Sequence, residues 1–172
     1  MCWLMIVPNC SKSFSKKKET KNIKHLTLFQ TKKDVMYPPD LVAPMKEDLT
    51  SAGFEQLVTA AEVDNAINET AGTTLLVINS VCGCAAANAR PAAKMSVGHS
   101  KKPENLVTVF AGVDREAVEQ ARKYTLPYPP SSPSMALFKD GKLVHFIERH
   151  HIEGRAAEMI AENLQMAYDE FC

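Results

Sequence analysis

From position 39 onward the period of the hydrophobic positions switches repeatedly between helix and strand, whereas the residues before it show no sustained period. From Pro39 to about Ser51, Leu41, Val42, Met45 and Leu49 recur at helical spacing, and Gly53 follows as a stop. A short strand is expected from Phe54 to Val58. Thr59 and Glu62 then make a capping-box pattern, opening a helix that carries Val63, Ala66 and Ile67 and ends at Ala71-Gly72. The unbroken β-prone run from Thr73 to Asn79 predicts a central strand buried on both faces. It delivers the chain to Ser80-Val81-Cys82-Gly83-Cys84.

The alanines from Ala85 to Met95 favour a helix, in which Pro91 removes one ladder bond and predicts a bend. Leu106 to Phe110 supplies a second buried strand, and Asp114 is placed to cap a helix with Val118, Ala121 and Tyr124 along one side. After a proline-rich turn, the apolar runs from Met135 to Phe138 and from Leu143 to Ile147 flank Asp140-Gly141, a strong hairpin signal. Gly154 leads into a last helix with Ala157, Ile160, Leu164 and Ala167 in one stripe. This order predicts an α/β, thioredoxin-like fold, a central mixed sheet with helices on both faces.

Charge changes the picture at one end only. Residues 1–35 hold eight lysines against Glu19 and Asp34, about +6, while the rest holds twelve basic and eighteen acidic residues, about −6. The division predicts a basic, disordered extension over residues 1–35 and one thioredoxin-like domain over residues 36–172. An upstream start or an added leader would explain the extension; a basic docking arm is the other reading. The acidic body lacks the clustered Lys and Arg that nucleic acid requires. No apolar run nears the ~20 residues of a membrane span, and the opening Met1 to Val7 lacks the basic start of a secretory signal. A cytoplasmic protein with neither nucleic-acid nor membrane partners is expected.

The five cysteines, Cys2, Cys10, Cys82, Cys84 and Cys172, do not form the framework of a disulfide-stapled secreted domain. Inside a reducing compartment, a close pair points to redox chemistry or metal. Cys82 stands where strand becomes helix, and there the unpaired N–H groups and the positive end of the dipole favour a thiolate. It is the expected nucleophile. Cys84, further into the helix, is the expected resolving thiol, attacking the Cys82 mixed disulfide from behind. Gly83 supplies freedom for a ring closed over one residue, whose strain predicts a weaker reductant than thioredoxin.

Two alternatives stay open for the pair. One is plain packing beside alanines. The other is half of a tetrahedral zinc site, completed from His99, His145, His150, His151 or Cys172. His150 and His151, taken as neighbours on a strand, would point to opposite faces, so no metal and no bound cofactor are expected.

The segment Tyr128-Pro129-Pro130-Ser131-Ser132-Pro133-Ser134 precedes the hairpin, where thioredoxin-like domains place a cis proline facing the cysteines. Pro133 is the expected cis residue, and the backbone of Ser132 the expected pairing point for an extended client segment. An ordinary rigid loop is the plain alternative. Arg90 has two readings, a grip on a thiol's carboxylates or a cover over the helix surface. Asn79 and Ser80 either hydrogen-bond the thiolate or shape the turn. Cys2, Cys10 and Cys172 read as bystanders.

Three stretches together resemble the bacilliredoxin family. They are Ser80-Val81-Cys82-Gly83-Cys84-Ala85-Ala86 with Asn88-Ala89-Arg90-Pro91 behind it, Pro130-Ser131-Ser132-Pro133-Ser134, and Phe138-Lys139-Asp140-Gly141-Lys142-Leu143-Val144-His145-Phe146. The resemblance runs from about Met36 to Cys172. It implies a thiol–disulfide oxidoreductase from bacteria that use bacillithiol, a low-molecular-weight thiol, in place of glutathione. Cys82 would remove bacillithiol from S-bacillithiolated client proteins and carry it as a mixed disulfide, and Cys84 matches the family's second cysteine. Bacillithiol would be the thiol co-substrate, and the partners would be proteins bearing that adduct or a disulfide. Protein disulfide isomerase or reductase activity is the family's other description. A redox-sensing or metal-binding interaction module is the reading from a different class.

Overall fold

A computed structural model describes residues 37–69 and 71–172. The extension expected over residues 1–35, with Cys2 and Cys10, lies outside the described residues. Helix α1 (Pro39–Thr50) starts with proline at its first position, where the missing N–H has no partner to lose. Strand β1 (Glu55–Gln56) follows Gly53, whose φ of 92° is left-handed backbone that favours glycine. The capping box forms as expected: Thr59 accepts from the Glu62 N–H, and the Glu62 carboxylate accepts from the Thr59 N–H. It starts α2 (Ala60–Asp64), which continues as a π-helical turn (Asn65–Glu69).

Strand β2 (Thr73–Asn79) is buried at every position. It pairs parallel with β3 (Asn105–Phe110) and antiparallel with β4 (Ser134–Lys139). With β5 (Lys142–Ile147) the sheet order is β1-β3-β2-β4-β5. Alternation along β2 divides the core in two. Leu75 and Val77 meet Leu49 of α1, Ala92 of α3 (Arg90–Ser96) and Leu164 of α6 (Ala157–Phe171), while Leu76 and Ile78 meet Val63 of α2 and Val118 of α4 (Arg115–Tyr124). The fold is therefore the expected α/β one, thioredoxin-like, a mixed sheet with helices on both faces.

Two local expectations change. Asp114 precedes α4 but makes no side-chain cap. Its carboxylate instead accepts from Lys46 Nζ at 2.7 Å, Gln56 Nε2 at 2.7 Å and the Phe110 N–H at 3.2 Å, so three better-placed donors pin the end of β3 to α1. The second change is a one-turn helix, α5 (Arg149–Ile152), where sequence periodicity is too short to register. His150 and His151 lie on this turn rather than on a strand, with ring centroids 3.8 Å apart.

Tyr168 of α6 is fully buried in the same core cluster as Leu75 and Val77. Ser96 Oγ donates to the Ala93 carbonyl at 2.8 Å, so the Tyr168 hydroxyl, 2.9 Å away, donates to Ser96. Burial pushes the Tyr168 hydroxyl well above its ordinary pKa of 10.0. The folded protein thus keeps this proton where the unfolded chain releases it, and the associated stability is intact below pH ~10 and lost as pH rises beyond it. Tyr168→Phe is expected to cost about 1 kcal/mol at neutral pH and to flatten the alkaline decline, read from urea titrations between pH 8 and 11.

Candidate active site

Strand β2 ends at Asn79, and residues 80–82 turn the chain into a continuous helical segment over residues 83–96. Its first part is a π-helical turn (Ala85–Ala89), closed by the Arg90 N–H donating to the Ala85 carbonyl, and α3 follows. Pro91 is second in α3, so the wider turn stands where the sequence led us to expect a bend.

Cys82 and Cys84 form a disulfide with their Cα atoms 5.4 Å apart, both sulfur-bearing residues half-buried. The two sulfurs have unequal surroundings. Cys82 Sγ accepts from Ser80 Oγ at 3.3 Å and from the Ala85 N–H at 3.3 Å. Among the described residues, no hydrogen bond reaches Cys84 Sγ. On reduction, those two donors lie ready for a thiolate on Cys82, and hydrogen bonds to the charged form lower a thiol's pKa. Ser80 both shapes the turn and donates to Cys82 Sγ.

A buried network holds this turn. Asn79 Oδ1 accepts the Ser80 N–H at 2.8 Å, and Asn79 Nδ2 donates to the Met45 carbonyl of α1. Arg90, only 6% exposed, reaches back to the same place. Its Nη1 donates to Asn79 Oδ1 and to the Ser80 carbonyl, each at 3.3 Å, and its Nε donates to Asp48 at 2.9 Å. Lys94 is the second cation on Asp48. Burial pushes the Asp48 carboxyl up, but the hydrogen bonds and charges of Lys94 and Arg90 outweigh it and hold the carboxyl below its ordinary range. Arg90 therefore neither lies over the helix surface nor presents a free guanidinium; its donors are turned inward, a placement its spacing from Cys84 does not reveal. Asp48 and Lys94 escaped the sequence reading because a charge on a helix carries no sign of its distant partner.

The loop before β4 lies across from this turn. Ser134 pairs with Ile78, which sets Ser132 and Pro133 at the end of the ladder beside the segment leading to Cys82. The Ser132–Pro133 peptide bond is cis. Ser131 ties the loop to α5, its hydroxyl accepting the Arg149 N–H at 2.7 Å. Glu148, His150 and His151 bring three potential ligand atoms within 4.8 Å of one another on the outer side of α5. Behind α5, Asn88 of the π-helical turn donates to the Arg155 carbonyl, which fastens the start of α6 to the active-site helix. Cys172 is free and exposed.

A family model described as disulphide isomerase matches residues 37–172. A bacilliredoxin of Cytophaga hutchinsonii is 64% identical over 135 residues, covering 78% of this chain and 99% of that protein. The chain belongs to the bacilliredoxin family. A bacilliredoxin of Halalkalibacterium halodurans is 54% identical over 136 residues, 79% of this chain and 94% of that protein. Among solved structures, one described as an oxidoreductase with a thioredoxin fold superimposes with a TM-score of 0.53 at 16% identity, covering 65% of this chain and 94% of its own. The thioredoxin-like domain of Arabidopsis NCP gives a TM-score of 0.51 at 16% identity, over 68% of this chain and 77% of its own. Both likenesses establish the fold, and membership of the family makes this chain a thiol–disulfide oxidoreductase whose partners are proteins with which it exchanges disulfides. Among the described residues no helix is long and apolar enough to cross a membrane.

Proposed function

We propose that this bacilliredoxin removes bacillithiol from S-bacillithiolated client proteins in the cytoplasm, with Cys82 attacking, Cys84 resolving, and bacillithiol as co-substrate in place of any bound cofactor. The observation that carries the assignment is the pair of donors converging on Cys82 Sγ and not on Cys84 Sγ. The Cys82 thiolate attacks the small thiol's sulfur in the client adduct. The adduct's S–S bond breaks, the client leaves as a thiolate and takes a proton from water, and a new bond joins Cys82 to bacillithiol. Cys84, as its thiolate, then attacks Cys82 Sγ and expels bacillithiol, leaving the Cys82–Cys84 disulfide seen in the structure. External thiols return the two electrons. Ser132 and Pro133, at the mouth of the β2–β4 ladder, offer backbone against which an extended client segment can pair.

The test is transfer of mass. Reduced Cys84→Ser protein mixed with a bacillithiolated client is expected to gain one bacillithiol at Cys82 and to stop there, while the wild type passes on to its internal disulfide. Absence of adduct on Cys82, with Cys82→Ala clearing the client as fast as wild type, would overturn the reading. The matching family model favours a second use of the same attack, on protein disulfides; unscrambling of a mispaired client without adduct removal would be its signature.

A further inference from the structure

Beside the active-site helix, between β5 and the first turns of α6, lies an open cleft of about 340 Å3. Its floor is apolar, with the buried Ile147 and Ile160, and exposed Met159, Arg155, His151 and Asn163 line it further out with half-buried His145; none of its lining residues is acidic. Among the described residues, the Arg155 side chain has no carboxylate within ion-pair distance. His145 Nε2 lies 2.8 Å from Asn163 Oδ1, a bond in which the ring N–H donates, and among the described residues the amide's own N–H donors have no acceptor. The cleft is joined to the chemistry through Asn88, whose side chain holds the Arg155 carbonyl and which follows Cys84 by four residues, about one helical turn. A surface pocket with an apolar lining and one guanidinium clear of carboxylates suits a small organic anion, because a guanidinium binds carboxylates in a planar, charge-assisted geometry.

We infer that this cleft is the subsite for the carboxylate-bearing part of the small thiol while that thiol passes from client to Cys82, with Arg155 its specificity-determining residue. The inference rests on the removal of a small thiol proposed above. It differs from the expectation for Arg90, whose guanidinium is turned inward; the anion contact moves to Arg155, on the outer side of the Cys84 helix.

Two adducts of similar size and different charge test it. A single-cysteine client is loaded with 3-mercaptopropionate, which carries one carboxylate, or with 2-mercaptoethanol, which carries none, and removal is timed with reduced full-length protein. Arg155→Glu is expected to slow removal of the carboxylate adduct about tenfold and to leave the neutral adduct within about twofold of wild type. Arg155→Lys should recover part of the loss. Equal slowing of both adducts, or no change in either, would overturn the subsite. Wild-type protein that removes neither adduct yet reduces a protein disulfide would instead overturn the function proposed above, so the two failures are distinct. Arg155 is exposed, and the neutral adduct serves as the control for an intact fold and an intact Cys82.

Discussion

Cys82→Ser is expected to lower the rate of disulfide exchange by on the order of 10³-fold or more, because a serine hydroxyl supplies no thiolate near neutral pH and cannot form the mixed disulfide. Cys84→Ser should leave the first attack standing and remove only the release step. The asymmetry follows from the surroundings of the two sulfurs. Ser80 Oγ and the Ala85 N–H both aim at Cys82 Sγ, so on reduction the thiolate is expected there. Pre-steady-state alkylation with iodoacetamide, followed by peptide mass analysis, reads the difference directly. Faster labelling of Cys84 than of Cys82 at pH 7 would reverse the roles.

Arg90→Ala is expected to cost about 3 kcal/mol of stability, measured from the midpoint of urea unfolding, because it removes one donor from each of three acceptors around the turn. Two of them, Asn79 Oδ1 and the Ser80 carbonyl, belong to buried residues, and Asn79 Oδ1 is left with the Ser80 N–H. Asp48 keeps Lys94 and is a third exposed, which sets the figure at the lower end for a broken buried pair. Arg90→Lys keeps the charge but, with one ammonium in place of a planar fork, should recover less than half the loss. The acid limb gives a second readout. Asp48 binds its proton less readily when folded than when unfolded, so its contribution is present above its ordinary pKa of 3.8 and fades as pH falls through the lowered one. Arg90→Ala should flatten that fade. A variant as stable as wild type at pH 7 would show that the network is incidental.

The elements legible in the sequence were those whose cause is local. The capping box at Thr59 and Glu62, the buried run of β2, the Asp140-Gly141 turn and the stripe on α6 each follow from residues within a turn or two of one another. Both central residues of that turn have positive φ, which is what Asp-Gly supplies. The cysteine pair was legible for the same reason, since its place at a strand-to-helix junction is written in adjacent residues. What escaped notice depends on residues far apart. Asp114 looks like a cap because nothing near it names Lys46 or Gln56, and neither reading of Arg90, a grip on a thiol's carboxylates or a cover over the helix, points to Asp48, which lies 42 positions away. One signal was available: Asn88 is the only polar side chain in an alanine run, and it holds the α6 junction.

Gly83 stands between the two sulfurs, yet its φ is not left-handed, and a Cβ built on it would meet nothing within 4 Å. Neither its own backbone nor its neighbours require glycine there. A side chain at this position would project into open space between the two cysteines. With glycine here the exposed turn carries no side chain between Cys82 and Cys84, which leaves room for the main chain of an incoming protein to lie flush against it. A side chain at position 83 would act as a doorstop, holding wide surfaces off the sulfurs while a slender adduct still slips past. Residue 83 is thus a natural place to trade breadth of clientele for selectivity without disturbing the fold.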